Sequence, residues 1–299
     1  MKDRGDITWL IILLLLCAQG TRSYGQPGPM GDSLTSAATM WQHREKMAPW
    51  FVERFKISAG FFLAVNNTDV QVENASGSRG TDIDFENDLG FNRNIGTFLA
   101  DAQWRISRRS RIDLAYYGIH RNARYTLQKE LHFGDHIYNI DSRVDAFFNT
   151  DIFRFSYGYA LLSKSRYEAG LLIGAHIVGL GVGIGVTGNN IDAQEDRFSF
   201  TAPLPDIGIW GGYAINPRWA VNGEFSYLSL TIDNINGRIL SGYLNVTYRV
   251  ISKLDLSLGY TGFNFKVSTT REHLAGDFKW GYNGPSLTAA YSFGRKTWK

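Results

Sequence analysis

From Arg54 onward the chain repeats a pattern that only a two-sided sheet can use. Phe55, Ile57, Ala59, Phe61, Leu63 and Val65 fall on one phase of an alternation, with Arg54, Lys56, Ser58, Gly60, Phe62 and Ala64 on the other. A period of two is that of a β-strand, whose successive side chains point to opposite faces. About ten segments of this kind follow one another, each with one aliphatic and aromatic face and one small, polar or charged face. Two faces with different chemistry need two different solvents, and a sheet closed into a barrel in lipid supplies both.

The N-terminus fits export. Met1-Lys2-Asp3-Arg4 precedes an apolar run from Ile7 to Cys17, after which the sequence becomes small and polar. This is the composition of a signal peptide, with cleavage expected after Gly25 (Ser23-Tyr24-Gly25) or after Gly20. A membrane-spanning helix needs roughly 20 apolar residues, more than this run offers. Lipidation at Cys17 would require a small residue where Leu16 stands. No later run is long enough to cross as a helix, and the mean hydropathy is −0.20. A barrel reconciles these facts because half of each strand faces inward.

Cys17 is the single cysteine, so a chain cleaved after Gly25 has no disulfide, thiolate metal site or cysteine nucleophile. The 31 basic and 28 acidic residues form no long block of one sign, which excludes a nucleic-acid footprint. The expected organisation is a signal peptide over 1–25, a short periplasmic segment over 26–53, a barrel over 54–293 and a tail over 294–299. A short helix over Leu34 to Met47, capped by Ser33, is expected in the periplasmic segment. A plug entering the barrel is its alternative.

Short polar turns recur at Ser107-Arg108-Arg109-Ser110, Ser163-Lys164-Ser165-Arg166, Asn216-Pro217-Arg218 and Ser252-Lys253-Leu254-Asp255. Longer polar stretches lie between them: Glu73 to Asn92, Gly188 to Phe198, Asp233 to Gly237 and Ser268 to Phe278. Each interval between short turns holds one strand up and one down, so five intervals predict ten antiparallel strands. Two hairpins between Ser110 and Leu162 would make twelve. Ten is preferred, because Arg124 to Tyr138 is polar on both faces and reads as a ribbon above the membrane.

Face by face, the residues predicted to meet lipid include Leu114, Phe153, Phe155, Ile207, Ile209, Phe225, Leu244, Leu258, Leu287, Tyr291 and Phe293. The opposite faces carry Asp101, Arg105, Arg111, Asp113, Arg154, Glu168, His176, Asp206, Glu224, Arg249 and Asp255. Ionised groups inside a narrow barrel must be paired or solvated. A balanced set predicts a cross-linked interior that blocks or constricts the lumen.

The last strand, Ser286-Leu287-Thr288-Ala289-Ala290-Tyr291-Ser292-Phe293, resembles the C-terminal assembly signal of bacterial outer-membrane barrel proteins, although Gly294 to Lys299 follows its terminal aromatic. The resemblance implies an integral outer-membrane protein of the small barrel class, of 8–12 strands, in a Gram-negative envelope. Its implied partners are the barrel-assembly machinery, outer-membrane lipid and lipopolysaccharide.

Asp82, Asp84, Glu86 and Asp88 stand at two-residue spacing, which in an extended chain puts four carboxylates on one face. Such a face suits a hard divalent cation at the outer rim; a solvated loop is the plainer reading. No other cofactor is expected. The omptin-like outer-membrane proteases form ten-strand barrels with an Asp-x-Asp and an Asp-x-His pair at the rim. Asp82-x-Asp84 resembles the first pair, and Glu130-x-His132 approaches the second with a different acid. Outer-membrane lipid hydrolases place His and Ser two residues apart, and none of the six histidines has Ser two positions later.

Gly183-Ile184-Gly185-Val186-Thr187-Gly188 matches a dinucleotide string without the strand-to-helix context that string needs. Gly179, Gly181, Gly183 and Gly185 read instead as a stripe that lets a bulky group such as Trp210 approach. The sequence therefore predicts a non-enzymatic envelope barrel or narrow solute channel. An adhesion or lipopolysaccharide-binding barrel is the first alternative, with the ribbon Arg121 to Asp145 as its binding element, and an outer-membrane hydrolase the second.

Overall fold

The structure is a computed structural model that describes residues 48–72, 82–133, 136–186, 195–232, 235–271 and 274–294. The expected signal peptide, the predicted helix and the last five residues lie outside that set.

Ten long strands form the wall: β1 (Phe55–Val72), β3 (Asn94–Arg105), β4 (Ser110–Thr126), β7 (Arg143–Ser163), β8 (Tyr167–Val186), β9 (Glu195–Ala214), β10 (Trp219–Ile232), β11 (Ile235–Ile251), β12 (Leu254–Arg271) and β13 (Leu274–Phe293). Each pairs antiparallel with the next, and β13 pairs with β1, running from Phe55 opposite Phe293 to Val72 opposite Gly276. The sheet is therefore a closed barrel of ten strands, not twelve. Three short elements complete the set: β2 (Ile83–Asp84), the one-turn helix α1 (Phe85–Asp88), and the hairpin β5 (Leu131–Phe133) and β6 (His136–Tyr138). The four predicted short turns all fall at one end, with the start of β1 and the end of β13. In outer-membrane barrels this is the periplasmic end.

The long strands outreach a bilayer. A strand of about 20 residues is roughly 66 Å long and, tilted by about 45°, rises roughly 45 Å, against an apolar band of about 25 Å. Accordingly the apolar phase changes along each strand. On the periplasmic half of β7, Phe153, Phe155, Tyr157, Tyr159 and Leu161 point outward and are exposed; on its outer half Val144, Ala146, Phe148 and Ile152 are buried on the opposite phase, with Phe147 alone of the apolar residues partly exposed on the outward one. The same change occurs on β8, from outward Leu171, Ile173 and Ile177 to buried Val178, Leu180, Val182 and Ile184. On β12 it runs from outward Leu256, Leu258 and Tyr260 to buried Phe263 and Phe265. Within the membrane the outside is lipid and the inside polar. Above it the outside is water and the inside is oil.

The inside of the outer half is a continuous aromatic and aliphatic core. Trp280, Phe265, Phe148 and Phe85 have no exposed surface, and Trp280 packs 5.5 Å from Phe148 and 5.9 Å from Phe265 between ring centroids. The connection from β1 to β3 enters this core. Ile83 pairs with Val70 of β1, Asp84 caps α1 by accepting from the amides of Glu86 and Asn87, and Gly90 leaves the helix at φ +69. This turn buries Ile83, Phe85, Leu89 and Phe91 inside the barrel.

The ribbon between β4 and β7 does not stand clear of the barrel. Leu127, Leu131 and Tyr138 are buried in the same core, and the Tyr138 hydroxyl donates to Ile184 O at 3.2 Å. Apolar positions every few residues tie the two arms of the ribbon into that core. Strands β12 and β13 likewise continue to Arg271 and from Leu274, through the stretch Ser268 to Phe278 predicted as a loop.

Candidate functional site

The inward faces of the periplasmic half enclose a polar chamber of about 250 Å³. Its wall is an ion-paired relay. Gln103 donates to Asp113 Oδ1 at 2.7 Å, and Arg111 Nε lies 2.9 Å from Asp113 Oδ2 in an ion contact too poorly aligned to be a hydrogen bond. Arg111 also donates to Glu224 Oε2 at 2.9 Å; the other Glu224 oxygen pairs with Arg154, which lies 3.4 Å from Asp206. His176 Nδ1 ends the relay 3.4 Å from Asp206, with its ring 5.3 Å from Phe263. A second group joins Glu168 to Arg105 and to Arg108, the latter at 3.0 Å. A third joins Arg249 to Asp255 at 3.2 Å and to Glu53 at 3.1 Å, and Asp101 accepts from Ser58.

Strand periodicity explains the assembly. These residues occupy inward positions two apart, and antiparallel register sets Arg154 opposite His176 and Arg249 opposite Asp255. Charges of both signs on facing strands compensate the desolvation that either alone would suffer. All eleven residues expected in the lumen face this interior. Glu53 and Arg108 join as partners without any signal from the alternation, because each comes from a turn or lead-in outside the alternating segments.

Trp210 has a different place from the one expected. Its indole stacks on the Arg111 guanidinium, 3.8 Å from ring centroid to Cζ, and donates to Leu171 O at 3.2 Å. Gly158 makes room for this stack, since a Cβ there would lie 2.9 Å from Trp210 Nε1 and 3.0 Å from Arg111 Nε. The stripe Gly179 to Gly185 lies elsewhere on the wall, on the outward phase of β8, while Leu180, Val182 and Ile184 fill the core.

Both ends of the chamber are covered. Toward the outside lies the aromatic core. Toward the periplasm the lead-in folds across the mouth: Phe51 and Val52 are buried against Ala214 and Ala220, and the Phe51 ring sits against Gly212. Trp50 Nε1 donates to Asn216 O at 2.8 Å and stacks on Arg249, whose Nη2 donates to Trp50 O at 2.8 Å. Lys56 Nζ donates to Phe51 O at 3.2 Å. Residues 48–53 thus form a small stopper at the periplasmic mouth, while the rest of the expected periplasmic segment lies outside the described residues.

The acidic run does not form the one-sided face expected of it. The chain turns into α1 at Phe85, which sends the four carboxylates in different directions. Asp84 caps the helix; Asp88 pairs with Lys129 at 2.7 Å; Asp82 is exposed. Glu86 is fully buried, 2.5 Å from Arg121 Nη1, and accepts from the Thr68 amide and hydroxyl at 2.8 and 3.0 Å. Among the described residues no group of three or more His, Cys, Asp or Glu side chains is placed to hold a metal ion. At the rim, Glu130 and His132 pair with each other at 2.9 Å, both about half exposed.

A family model described as outer membrane protein beta-barrel domain matches residues 174–298, from within β8 to the C-terminus. The outer membrane protease OmpT from Escherichia coli shares the fold with a TM-score of 0.54 at 12% identity, over 80% of this chain and 96% of that one. Ail, the attachment invasion locus protein of Yersinia pestis, gives 0.33 at 10% identity, over 81% and 100% of the two chains. The Pseudomonas putida toluene transporter TodX gives 0.33 at 9%, over 82% and 91%. No curated protein sequence is matched. The described residues thus form a closed ten-strand barrel with an outward apolar belt, and the C-terminal part of that barrel is similar to the outer membrane protein beta-barrel domain.

Proposed function

We infer that this protein is a non-enzymatic, non-conducting envelope component, a sealed barrel rather than a solute channel. One observation carries the reading: the outer half of the lumen is filled by the chain's own core, with Ile83, Phe85, Leu89 and Phe91 inserted from the β1–β3 connection. A conduit needs a continuous wet path, and this core interrupts it above the charged chamber. The non-enzymatic part rests on how the rim carboxylates are used. Asp84 is spent on a helix cap and Glu86 on Arg121, which leaves neither free to activate water.

Purified protein in a planar bilayer tests the reading. The expected result is no steady conductance from the native protein and defined openings once residues 82–92 are replaced by a short Gly-Ser linker. Steady openings from the native chain would replace the sealed barrel with a conduit.

A further inference from the structure

The chamber has two unlike sides. From β3 round to β9 its wall is ionic, and those charges are committed to one another: Arg111 and Arg154 share Glu224 of β10, Arg154 meets Asp206, and Arg105 meets Glu168. From β10 round to β13 the middle of the wall is uncharged. Antiparallel register sets Asn222 opposite Asn245, Thr247 opposite Ser257, and Ser257 opposite Thr288, and all five residues line the chamber. Asn222 Nδ2 donates to Thr247 Oγ1 at 3.2 Å, and the Thr247 and Ser257 hydroxyls share a hydrogen bond of 2.9 Å. Hydroxyls and carboxamides both donate and accept, so this side offers both kinds of bond without offering charge.

Nearer the stopper, Lys56 donates to Phe51 O at 3.2 Å and lies within electrostatic reach of Asp101 and Asp255. Asp255 pairs with Arg249 through Oδ1. Its Oδ2, in a residue only 1% exposed that lines the chamber, accepts no hydrogen bond from the described residues. The way out of the chamber is toward the periplasm, past Trp50 and Phe51, because the aromatic core lies at the other end.

These features select a class of ligand. An apolar molecule would strip water from the ionic side without replacing its hydrogen bonds. A cation would meet Lys56 and the arginines, an anion would meet the carboxylates that face them, and either would have to break an existing pair. An uncharged polyol meets neither penalty, since each of its hydroxyls both donates and accepts. The chamber's volume of about 250 Å³ lies just below the roughly 300 Å³ at which ligand pockets begin, which limits the occupant to about one sugar ring.

We propose that the chamber is a periplasm-facing binding pocket for a small, uncharged, polyhydroxylated solute of monosaccharide size. Asn222, Asn245, Thr247 and Ser257 hold it, with Asp255 Oδ2 as a further acceptor. The pocket uses only the periplasmic half of the lumen, so it stands whether or not the outer half conducts.

The test titrates purified protein in detergent micelles with D-glucose as the probe, read by saturation-transfer NMR. At mildly acidic pH, D-glucosamine puts a cation on the same ring and D-glucuronate an anion. Glucose binding should saturate, and both charged sugars should bind at least about tenfold more weakly, since each brings an ionised group that finds no open countercharge. Thr247→Val/Asn245→Leu should weaken glucose by about tenfold through the loss of two hydrogen bonds, while Arg124→Gln at the outer rim leaves it unchanged. A chamber that holds water alone gives no saturable transfer, which overturns the proposal. Equal binding of the three sugars also overturns it, as does glucose binding that survives the double variant, because the sugar then sits outside the chamber. Should that variant lose heat-modifiable migration, Ser257→Ala and the comparison of the three sugars on the native protein decide.

Discussion

Glu86 and Arg121 form an ion pair inside an aromatic core, and cutting it should be costly in a way that cutting both sides is not. The Arg121 guanidinium lies 4.6 Å from the Phe148 ring centroid and 5.3 Å from that of Phe91, and both charged side chains are essentially without exposed surface. Glu86→Ala leaves the guanidinium with Thr68 Oγ1 alone, at 2.5 Å, and with no countercharge. Removing one partner of a buried pair costs about 3–5 kcal/mol, whereas replacing both by apolar residues of similar volume is about neutral or stabilising by 1–4 kcal/mol. Glu86→Ala should therefore lower the unfolding free energy by about 3–5 kcal/mol, and Glu86→Leu/Arg121→Met should restore most of it. Urea unfolding in lipid vesicles, followed by tryptophan fluorescence, reads both, because Trp280 is wholly buried in the same core. A loss below about 1 kcal/mol for Glu86→Ala, the range of exposed pairs, would mean that the inserted turn is not packed as described.

Three further outcomes follow from the same geometry. Gly90→Ala forces an L-residue to φ +69 and sets its Cβ 2.6 Å from the Tyr125 ring, which should cost about 2 kcal/mol in the same unfolding assay. Leu258→Arg, in the middle of the outward belt, should cost about 2–4 kcal/mol, while Lys266→Ala on the same phase of β12 but above the belt should stay within about 0.5 kcal/mol. Similar costs at the two positions would place the belt wrongly. Phe51→Ala removes the centre of the periplasmic stopper. A loss of about 2 kcal/mol from its packing corresponds to a roughly thirtyfold rise in mouth opening, read as maleimide labelling of a Ser257→Cys probe in the chamber. Unchanged labelling would show that Phe51 does not guard the chamber.

How far the fold can be read from the sequence depends on which solvent each residue meets. The ten strands, the four short turns, the lipid-facing phase and the inward charged set were legible because alternation against lipid is locally uniform. The outer half was not, because above the membrane the outside of the wall is water and the apolar phase turns inward. The pointer is present in β7, where the apolar phase moves from Phe153 and Phe155 to Ile152 and Phe148 with no bulge between them. With that shift recognised, Ile83, Phe85 and Leu89 become core residues, and the acidic positions between them are left to cap a helix and pair with arginine. The candidate chamber was legible in its members but not in its partners. Arg111 meets Glu224 across more than a hundred residues, a contact set by the closure of the barrel rather than by spacing on any one strand.

The phase change also bears on whether the lumen can open. Opening requires Ile83, Phe85, Leu89 and Phe91 to leave a dry core, and each fully buried side chain of this kind is worth about 1.5–3 kcal/mol. Even the low end for four side chains is about 6 kcal/mol, which at 1.4 kcal/mol per decade leaves fewer than about one barrel in ten thousand open at equilibrium. Openings of the native protein in a bilayer should thus be rarer than those of the linker-replaced protein by about four orders of magnitude. A ratio near one would mean that the apolar turn does not close the lumen, and the sealed-barrel reading would fail with it.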